Sequence, residues 1–268
     1  MGEPITRQIG WQPMQTDVDF FLVDGASYNF TDGTKVLSYV DWHVPFGAFH
    51  CLVGRSGCGK TTLLKLAAGL LLPTTGQIKI AGQALHGPSP KVGFVFQNPA
   101  LLEWLSVLDN VLLPISLHRK VQANDRDTAR DLLSLVGIAD LAGRYPAQLS
   151  GGQQSRAAIV RALVTSPPAL LMDEPFAALD AITREELQED LLRLVALRQT
   201  TVLFVTHDIA EAVYLGDAIA IMDQGQIKLA ASIDVPQPRA SDRRYSSEFI
   251  ATCQQIRTAM SQQLGSAA

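Results

Sequence analysis

Residues 54–61 read Gly-Arg-Ser-Gly-Cys-Gly-Lys-Thr, and this octapeptide has the full spacing of a phosphate-binding loop. An apolar run at residues 48–53 predicts a buried strand before the loop, and helical spacing at residues 62–70 predicts a helix after it. Glycines let backbone N–H groups face phosphate oxygens, and the helix start adds its positive dipole end. We therefore expect Lys60 to reach the β- and γ-phosphates of a nucleotide and the Thr61 hydroxyl to bind Mg²⁺.

A pair of carboxylates follows a second apolar strand. Residues 169–174 read Ala-Leu-Leu-Met-Asp-Glu, so the strand delivers Asp173 and Glu174 at its carboxyl end. Side chains alternate along a strand, which predicts that these two carboxylates point in different directions. That suits two roles, with Asp173 holding Mg²⁺ through its water shell and Glu174 polarising the attacking water.

A second anion-binding device lies at residues 149–153, which read Leu-Ser-Gly-Gly-Gln. The Ser-Gly-Gly turn is predicted to open a helix over residues 150–164, and the first N–H groups of a helix have no intrahelical acceptor. They attract an anion, as the phosphate loop does. If both devices serve one nucleotide, they must meet across an interface.

Composition excludes several classes of protein. The chain has 268 residues, 47% of them hydrophobic, so it can bury a full core. Its 22 basic and 26 acidic residues give a net charge of -4, which argues against nucleic acid as a partner. No apolar run reaches the roughly 18 residues of a membrane span, and no secretory signal precedes the first strand.

Strands alternate with helices along most of the chain, which predicts a mostly parallel sheet covered on both faces. Two strands at residues 18–30 and 36–44 flank a turn at residues 31–33. This spacing predicts a hairpin, whose strands are antiparallel, so these two strands are an exception to the parallel arrangement. Residues 106–141 are predicted to be mostly helical, with interruptions near Pro114 and Gly137.

Together these motifs resemble the nucleotide-binding subunit of ABC transporters over residues 18–229. Six motifs follow that family's order: residues 54–61, Gln97, residues 149–153, Asp173-Glu174, Leu179-Asp180 and His207. The block at residues 97–111 looks most like the ATPases of nitrate, sulfonate and taurine importers.

The resemblance implies an α/β fold, with a P-loop NTPase core, an N-terminal antiparallel β subdomain and a helical subdomain at about residues 100–165. Residues 18–240 would form the ATP-binding domain. Residues 1–17 would be a lead-in, and residues 241–268 a polar, partly helical tail.

The resemblance also assigns roles in binding ATP and Mg²⁺. Glu174, His207, Gln97 and Lys60 would be catalytic, and Thr61, Gln97 and Asp173 would hold Mg²⁺. The adenine would stack on Tyr28, with Phe30 as the competing candidate. The loop residues expected to contact ATP are Gly54, Arg55, Ser56, Gly57, Cys58, Gly59, Lys60, Thr61 and Thr62.

Two copies, or two related ATPases, would pair head to tail. Ser150, Gly151, Gly152 and Gln153 of one subunit would contact the ATP of the other, and Asp180 would communicate across the dimer. A separate transmembrane permease would dock on the pair at the cytoplasmic face of the inner membrane, with a solute-binding protein outside. Two alternatives stay open: the ATPase of a lipid-transfer or export system, and a non-transport ABC ATPase acting on DNA or ribosomes.

Two further side chains carry expectations. The Cys58 thiol near Lys60 and a helix start is expected to be acidic. Trp104 would lie in the groove that receives the permease, unless it is an ordinary core aromatic.

Overall fold

A computed structural model describes residues 19–233 and 244–265 of the chain. The chain divides into two compact units. The first unit contains the described residues up to Ser89 and those from Thr201 onward, and the second contains Pro90–Thr200. The lead-in predicted at residues 1–17 lies outside the described residues.

The first unit contains eight strands and three helices among its described residues. In chain order they are β1 (Asp19–Asn29), β2 (Lys35–Pro45), β3 (Phe49–Gly54), α1 (Lys60–Ala67), β4 (Thr75–Ile80), β5 (Gln83–Ala84), β8 (Thr201–Thr206), α6 (Ile209–Leu215), β9 (Ala218–Asp223), β10 (Gln226–Ser232) and α7 (Ser247–Gly265).

Four of these strands form an antiparallel sheet in the order β2-β1-β4-β5. The predicted hairpin is confirmed, because β1 pairs antiparallel with β2. Its turn is closed by the Asp32 carboxylate, which accepts a hydrogen bond from the Thr34 N–H at 2.8 Å. The two-residue β5 and the strand β10 were not predicted.

The remaining strands of the first unit run mostly parallel. β3 pairs parallel with both β8 and β9, whereas β10 pairs antiparallel with β9. Every residue of β3, β8 and β9 is buried, as expected for parallel strands covered on both faces.

The second unit is mainly helical. It contains β6 (Val92–Val95), α2 (Val107–Ser116), α3 (Ala123–Leu135), α4 (Gly151–Leu163), β7 (Ala169–Asp173) and α5 (Ala181–Arg198), with short 3₁₀ turns at Ala139–Leu141 and Pro146–Gln148. β6 and β7 pair in parallel, and α2 packs on α3 and α4. With the sheets of the first unit, these elements confirm the predicted fold class.

One predicted interruption lies later than expected. α2 continues through Pro114 to Ser116, and the break occupies residues 117–122 instead. Pro114 has no N–H for the Asn110 carbonyl, but Val107, Val111 and Ile115 bury one face of α2. This packing outweighs one lost hydrogen bond. The break near Gly137 is confirmed, since α3 ends at Leu135 and Gly137 takes a φ of 69°.

The described helices include none that is long and apolar enough to cross a membrane.

Candidate nucleotide-binding site

The phosphate loop joins β3 to α1 through glycines that no other residue replaces without strain. Gly57 and Gly59 have φ values of 79° and 107°, in the left-handed region that favours glycine. A Cβ on Gly54 would overlap the carbonyl oxygen of Met222. Gly59 is the N-cap of α1, and no side chain caps that helix start. The first turn of α1 therefore keeps backbone donors for a ligand.

Lys60 lies beneath this loop. Its side chain is buried, at 5% exposure, and its ammonium donates to the carbonyls of Gly54 at 2.8 Å and Arg55 at 3.0 Å. A buried cation needs such partners, and these two carbonyls belong to the loop itself. The positive charge is therefore held where phosphate oxygens would enter.

The remaining residues of the phosphate loop and the first turn of α1 differ in their exposure to solvent. Arg55, Ser56, Gly57 and Thr61 are exposed, Thr62 is half-buried, and Cys58 is buried. The crest of the loop and the start of α1 are thus open to a ligand.

The expectation of an acidic Cys58 thiol is wrong. Burial raises its pKa above the usual range of a thiol, although the nearby Lys60 acts in the opposite direction and Asp223 adds to the rise. Proximity to Lys60 was readable from the sequence, whereas the burial that outweighs it was not.

A support for the phosphate loop went unrecognised in the sequence. The turn between β9 and β10 brings the Gly225 N–H to the Cys58 carbonyl at 3.0 Å. The Gly225 carbonyl accepts from the Ser38 N–H at 2.9 Å. Gly225 has a φ of 74°, and a Cβ there would overlap the Val36 carbonyl. The turn therefore connects the phosphate loop to β2. In the sequence, the glycine of Asp-Gln-Gly at residues 223–225 indicates a turn but not this connection.

The two candidate adenine-stacking rings lie together. Tyr28 is half-buried and Phe30 is 47% exposed, and their centroids are 5.6 Å apart in an edge-to-face arrangement. Both candidates therefore mark the same aromatic patch at the end of β1.

His207 leaves the sheet beside the phosphate loop. In the parallel pairing of β3 with β8, Val53 lies opposite Thr206, so Gly54 and His207 follow neighbouring strand ends. His207 is exposed. The next residue, Asp208, caps α6 and accepts from the Ala210 N–H at 2.8 Å. A strand end and a capped helix thus fix the backbone on both sides of the imidazole.

In the second unit, the carboxylates and Gln97 share one sheet edge. β6 and β7 pair with Val95 opposite Met172, so Gln97 and the Asp173-Glu174 pair leave the sheet side by side. Gln97 is exposed, whereas Asp173 is 7% exposed. Two carbonyls after Gln97, those of Pro99 and Ala100, accept from Arg161 of α4 at 2.7 and 2.8 Å.

Glu174 is aimed by its own backbone and not by strand alternation. β7 ends at Asp173, and Glu174 takes a φ of 45°. This conformation is uncommon for a residue with a Cβ and turns the chain at the strand end. The two carboxylates are therefore distinguished by a sharp change of backbone direction, which the alternation argument did not include.

The Ser-Gly-Gly turn opens α4 with a reciprocal cap. The Ser150 hydroxyl accepts from the Gln153 N–H at 3.3 Å, and the Gln153 side chain accepts from the Ser150 N–H at 3.0 Å. Ser150 and Gly151 are exposed, and no acidic residue lies in the first turn. This helix start is therefore an open, uncharged place for an anion.

The second unit brings the Ser-Gly-Gly turn together with Asp180. Asp180 caps α5 and accepts from the Thr183 N–H at 3.0 Å, and such hydrogen bonds lower the pKa of its carboxyl. Gly152 packs on the same turn, since a Cβ there would lie 2.6 Å from the Thr183 methyl group. The starts of α4 and α5 are thus in contact.

Trp104 is not a core residue. Its side chain is 73% exposed, which excludes that interpretation. An exposed tryptophan on a loop is a common feature of protein interfaces.

The arrangement resembles known nucleotide-binding proteins in sequence and in fold. The family model described as ABC transporter matches residues 37–177. The bicarbonate transport ATP-binding protein CmpD of Synechocystis is 43% identical over 78% of this chain and 75% of its own length. The aliphatic sulfonates import ATP-binding protein SsuB of Zymomonas mobilis is 45% identical over 79% of this chain and 86% of its own.

A solved structure extends the similarity to the fold. The ATP-binding cassette MJ0796, determined as a dimer bound to ADP and Pi, superposes with a TM-score of 0.73 at 31% identity. The similarity covers 81% of this chain and all of that one. With a family match over more than half of its length and these relatives, the chain belongs to the ABC transporter family, as one of its ATP-binding proteins.

Proposed function

We propose that this chain is the ATP-hydrolysing subunit of an ABC importer, and that two such subunits enclose two ATP molecules to drive a separate permease. The observation that carries the proposal is a pair of unlike glycine-rich helix starts in one chain. The start of α1 is uncapped and holds a buried lysine, and the start of α4 is exposed and capped by its own residues. One chain thus supplies two anion sites of different strength.

In this proposal the phosphate loop holds ATP in each subunit. Backbone donors at residues 54–62 surround the phosphates, and Lys60 exchanges its loop carbonyls for the β- and γ-phosphate oxygens. The adenine stacks on the patch of Tyr28 and Phe30. Stacking tolerates any flat base, so this contact holds the adenine without distinguishing it from other bases.

The side chains proposed for Mg²⁺ have suitable donors. Thr61, Gln97 and Asp173 offer hydroxyl, amide and carboxylate oxygens, which this ion prefers. Among residues 19–233 and 244–265, no three His, Cys, Asp or Glu side chains form a protein-only metal cluster. In the proposed site these side chains would hold the ion together with phosphate oxygens and water. When bound, the ion supplies positive charge against the phosphate oxygens.

Hydrolysis then depends on positioned polar groups. Glu174 accepts a proton from the attacking water, whose oxygen bonds to the γ-phosphorus as the bond to the bridging oxygen of ADP breaks. Gln97 orients that water, and His207 donates to the γ-phosphate. Support for these roles comes from two parallel strand pairs: β3 and β8 end at the loop and His207, and β6 and β7 end just before Gln97 and Glu174.

The Ser-Gly-Gly turn acts on the ATP of the other subunit. The N–H groups that the reciprocal cap does not use bind the γ-phosphate held there, so ATP joins the two subunits. Asp180 communicates between the two sites. Hydrolysis removes the anion from the helix start and weakens the interface. That two-state cycle is what would move the permease.

We further propose that Trp104 lies at the surface that receives the permease, at the cytoplasmic face of the inner membrane. A binding protein outside would select the solute, of the sulfonate, nitrate or bicarbonate type that importers of this group carry. Purifying the chain with its membrane subunit tests this assignment. For an importer, we expect the co-purified membrane subunit to be a permease that is encoded beside a secreted binding protein. A lipid-binding partner would instead identify a lipid-transfer system.

The substitution Glu174→Gln tests the chemistry. It keeps the shape of the side chain but removes the proton acceptor, so we expect turnover to fall roughly 100- to 10,000-fold with ATP binding retained. The variant should also accumulate as an ATP-bound dimer, measured by size-exclusion chromatography with and without ATP. ATP hydrolysis at the parental rate would show that Glu174 is not the catalytic carboxylate.

A further inference from the structure

Arg156 joins three elements of the second unit. It lies on α4, and its side chain is only 12% exposed. Its guanidinium donates to the Val136 carbonyl at the end of α3 at 2.8 Å, to the Glu186 carboxylate at 3.0 Å and to the Asp190 carboxylate. The planar fork of arginine suits several fixed acceptors at once, which a lysine ammonium does not reproduce.

Both carboxylate partners of Arg156 lie on α5. Glu186 and Asp190 are four residues apart, so they share one face of that helix. Their helix begins at the Asp180 cap, whereas the helix of Arg156 begins at the Ser150 cap. Arg156 therefore connects the two helices that carry the Ser-Gly-Gly turn and Asp180.

The two helices are held at three levels: at their starts, at Arg156, and at their far ends, where Arg198 of α5 donates to the Leu163 carbonyl of α4 at 3.0 Å. At their starts Gly152 lies against the Thr183 methyl group, a contact without hydrogen bonds or charge between the two residues. Further along, the ion pairs of Arg156 prevent α4 from sliding or rotating about that contact. The Arg198 bond lies at the opposite end of α4, so Arg156 provides the directional, charge-assisted attachment nearer to the two helix starts.

The Asp190 carboxylate depends on this attachment. It is 13% exposed, and burial raises its pKa against the opposing effects of Arg156 and Arg193. Loss of Arg156 would leave this buried carboxylate without its main partner. A buried charge without compensation is costly, so we expect α5 to shift and expose Asp190 to water.

We propose that Arg156 is a positioning residue for ATP hydrolysis, which holds the Ser-Gly-Gly turn and Asp180 in one rigid piece. The inference rests on the proposed function, because the turn affects hydrolysis only when it meets the nucleotide of a second subunit. Arg156 acts through this placement and does not itself contact ATP.

The substitution Arg156→Met in the full-length chain tests the proposal. The phosphate loop belongs to the other unit, so the Kd for ATP should stay within about twofold of the parental value. A misplaced capping turn should lower kcat about 100-fold, the usual consequence of an error near 1 Å in a reacting geometry. Amide hydrogen exchange should accelerate at the starts of α4 and α5 and stay unchanged in the first unit.

Arg193→Met is the matched control. Arg193 is 70% exposed, and its ion pairs within the described part of the chain are with carboxylates of its own helix, Glu189 at 3.4 Å and Asp190 at 3.7 Å. Exposed pairs of this kind contribute little, so kcat should stay within about twofold. Arg156→Lys keeps the charge without the fork and should give an intermediate kcat.

Three results would overturn the proposal. They are parental kcat in Arg156→Met, equal losses of ATP binding and kcat, and unchanged exchange at both helix starts. If Arg156→Met does not fold, Arg156→Lys decides, and a parental kcat in that variant overturns the proposal. A failure of Glu174→Gln to dimerise would instead count against the proposed function, while the exchange comparison still tests Arg156.

Discussion

The two glycine-rich helix starts of this chain satisfy their backbone donors in opposite ways. At α1 the N-cap is Gly59, which has no side chain to accept a hydrogen bond, and the cation Lys60 lies under the loop. At α4 the N-cap is Ser150, and a reciprocal cap with Gln153 occupies donors of the first turn. The N-terminus of α1 therefore has no side-chain acceptor of its own, whereas the N-terminus of α4 is stabilised by its own residues.

This difference indicates that the two anion sites have different roles in binding ATP. An uncapped start with a buried cation gains much from a polyphosphate, because charge-assisted hydrogen bonds are the strong ones. A capped, uncharged start gains less and depends on a phosphate that something else presents. We therefore expect each subunit to bind ATP through the loop before the capped turn takes part.

The largest expected effect comes from a pair of substitutions, one at each start. Lys60→Met should raise the Kd for ATP about 10- to 100-fold, because it removes hydrogen bonds from a charged donor. Ser150→Arg should leave that Kd unchanged but lower kcat about 100- to 1,000-fold, as the loss of a positioned donor does. Isothermal titration and steady-state kinetics measure the two constants.

Ser150→Ala controls for the cap alone. It removes about 1 kcal/mol of helix stability without adding a cation to the turn, so its kcat should exceed that of Ser150→Arg. Normal hydrolysis in Ser150→Arg would refute the head-to-tail arrangement and with it the division of work.

A smaller effect is expected within the capped turn, where adjacent glycines differ. Gly152→Ala places a methyl group 2.6 Å from the Thr183 methyl, and overpacking of this kind costs about 1 to 3 kcal/mol of unfolding free energy. Gly151→Ala meets nothing within 4 Å and should be near neutral. Denaturant unfolding measures both.

The double variant Gly152→Ala with Thr183→Ser sharpens the test, since serine lacks the opposing methyl group. Gly152→Ala should therefore lower the unfolding free energy less in a Thr183→Ser background than in the parental chain. An equal cost with and without the Thr183 methyl would show that the contact is not what excludes a side chain at Gly152.

The smallest expected effect concerns the thiol of the uncapped start. Because burial raises the pKa of the Cys58 thiol, its thiolate fraction at neutral pH is smaller than that of an ordinary exposed cysteine. Alkylation should be slow at neutral pH, should accelerate as the pH is raised into the alkaline range, and should be slower still with ATP bound. Mass spectrometry of labelled peptides, with Cys58→Ser as the control, measures the rate. A plateau near pH 7 would indicate an acidic thiol after all.

Much of the fold followed from local patterns. The helix predicted at residues 150–164 begins at a Ser-Gly-Gly cap, and α4 occupies Gly151–Leu163. The strand predicted at residues 48–53 is β3, which occupies Phe49–Gly54. Caps, turns and periodic apolar runs act over a few residues, so they are readable without a structure. The strand β10 was missed because its exposed, alternating face lacks the dense apolar run of β8.

By itself, the sequence determined the family, the fold class and the identity of the residues proposed to bind ATP. These depend on motif spacing and on the backbone freedom of glycine, which are properties of neighbouring residues. Only the tertiary structure decided that Lys60 lies buried against two carbonyls, that burial outweighs Lys60 at Cys58, and that Arg156 joins α4 to α5. Burial and ion pairing arise between segments far apart in the chain, and no local pattern records which segments meet.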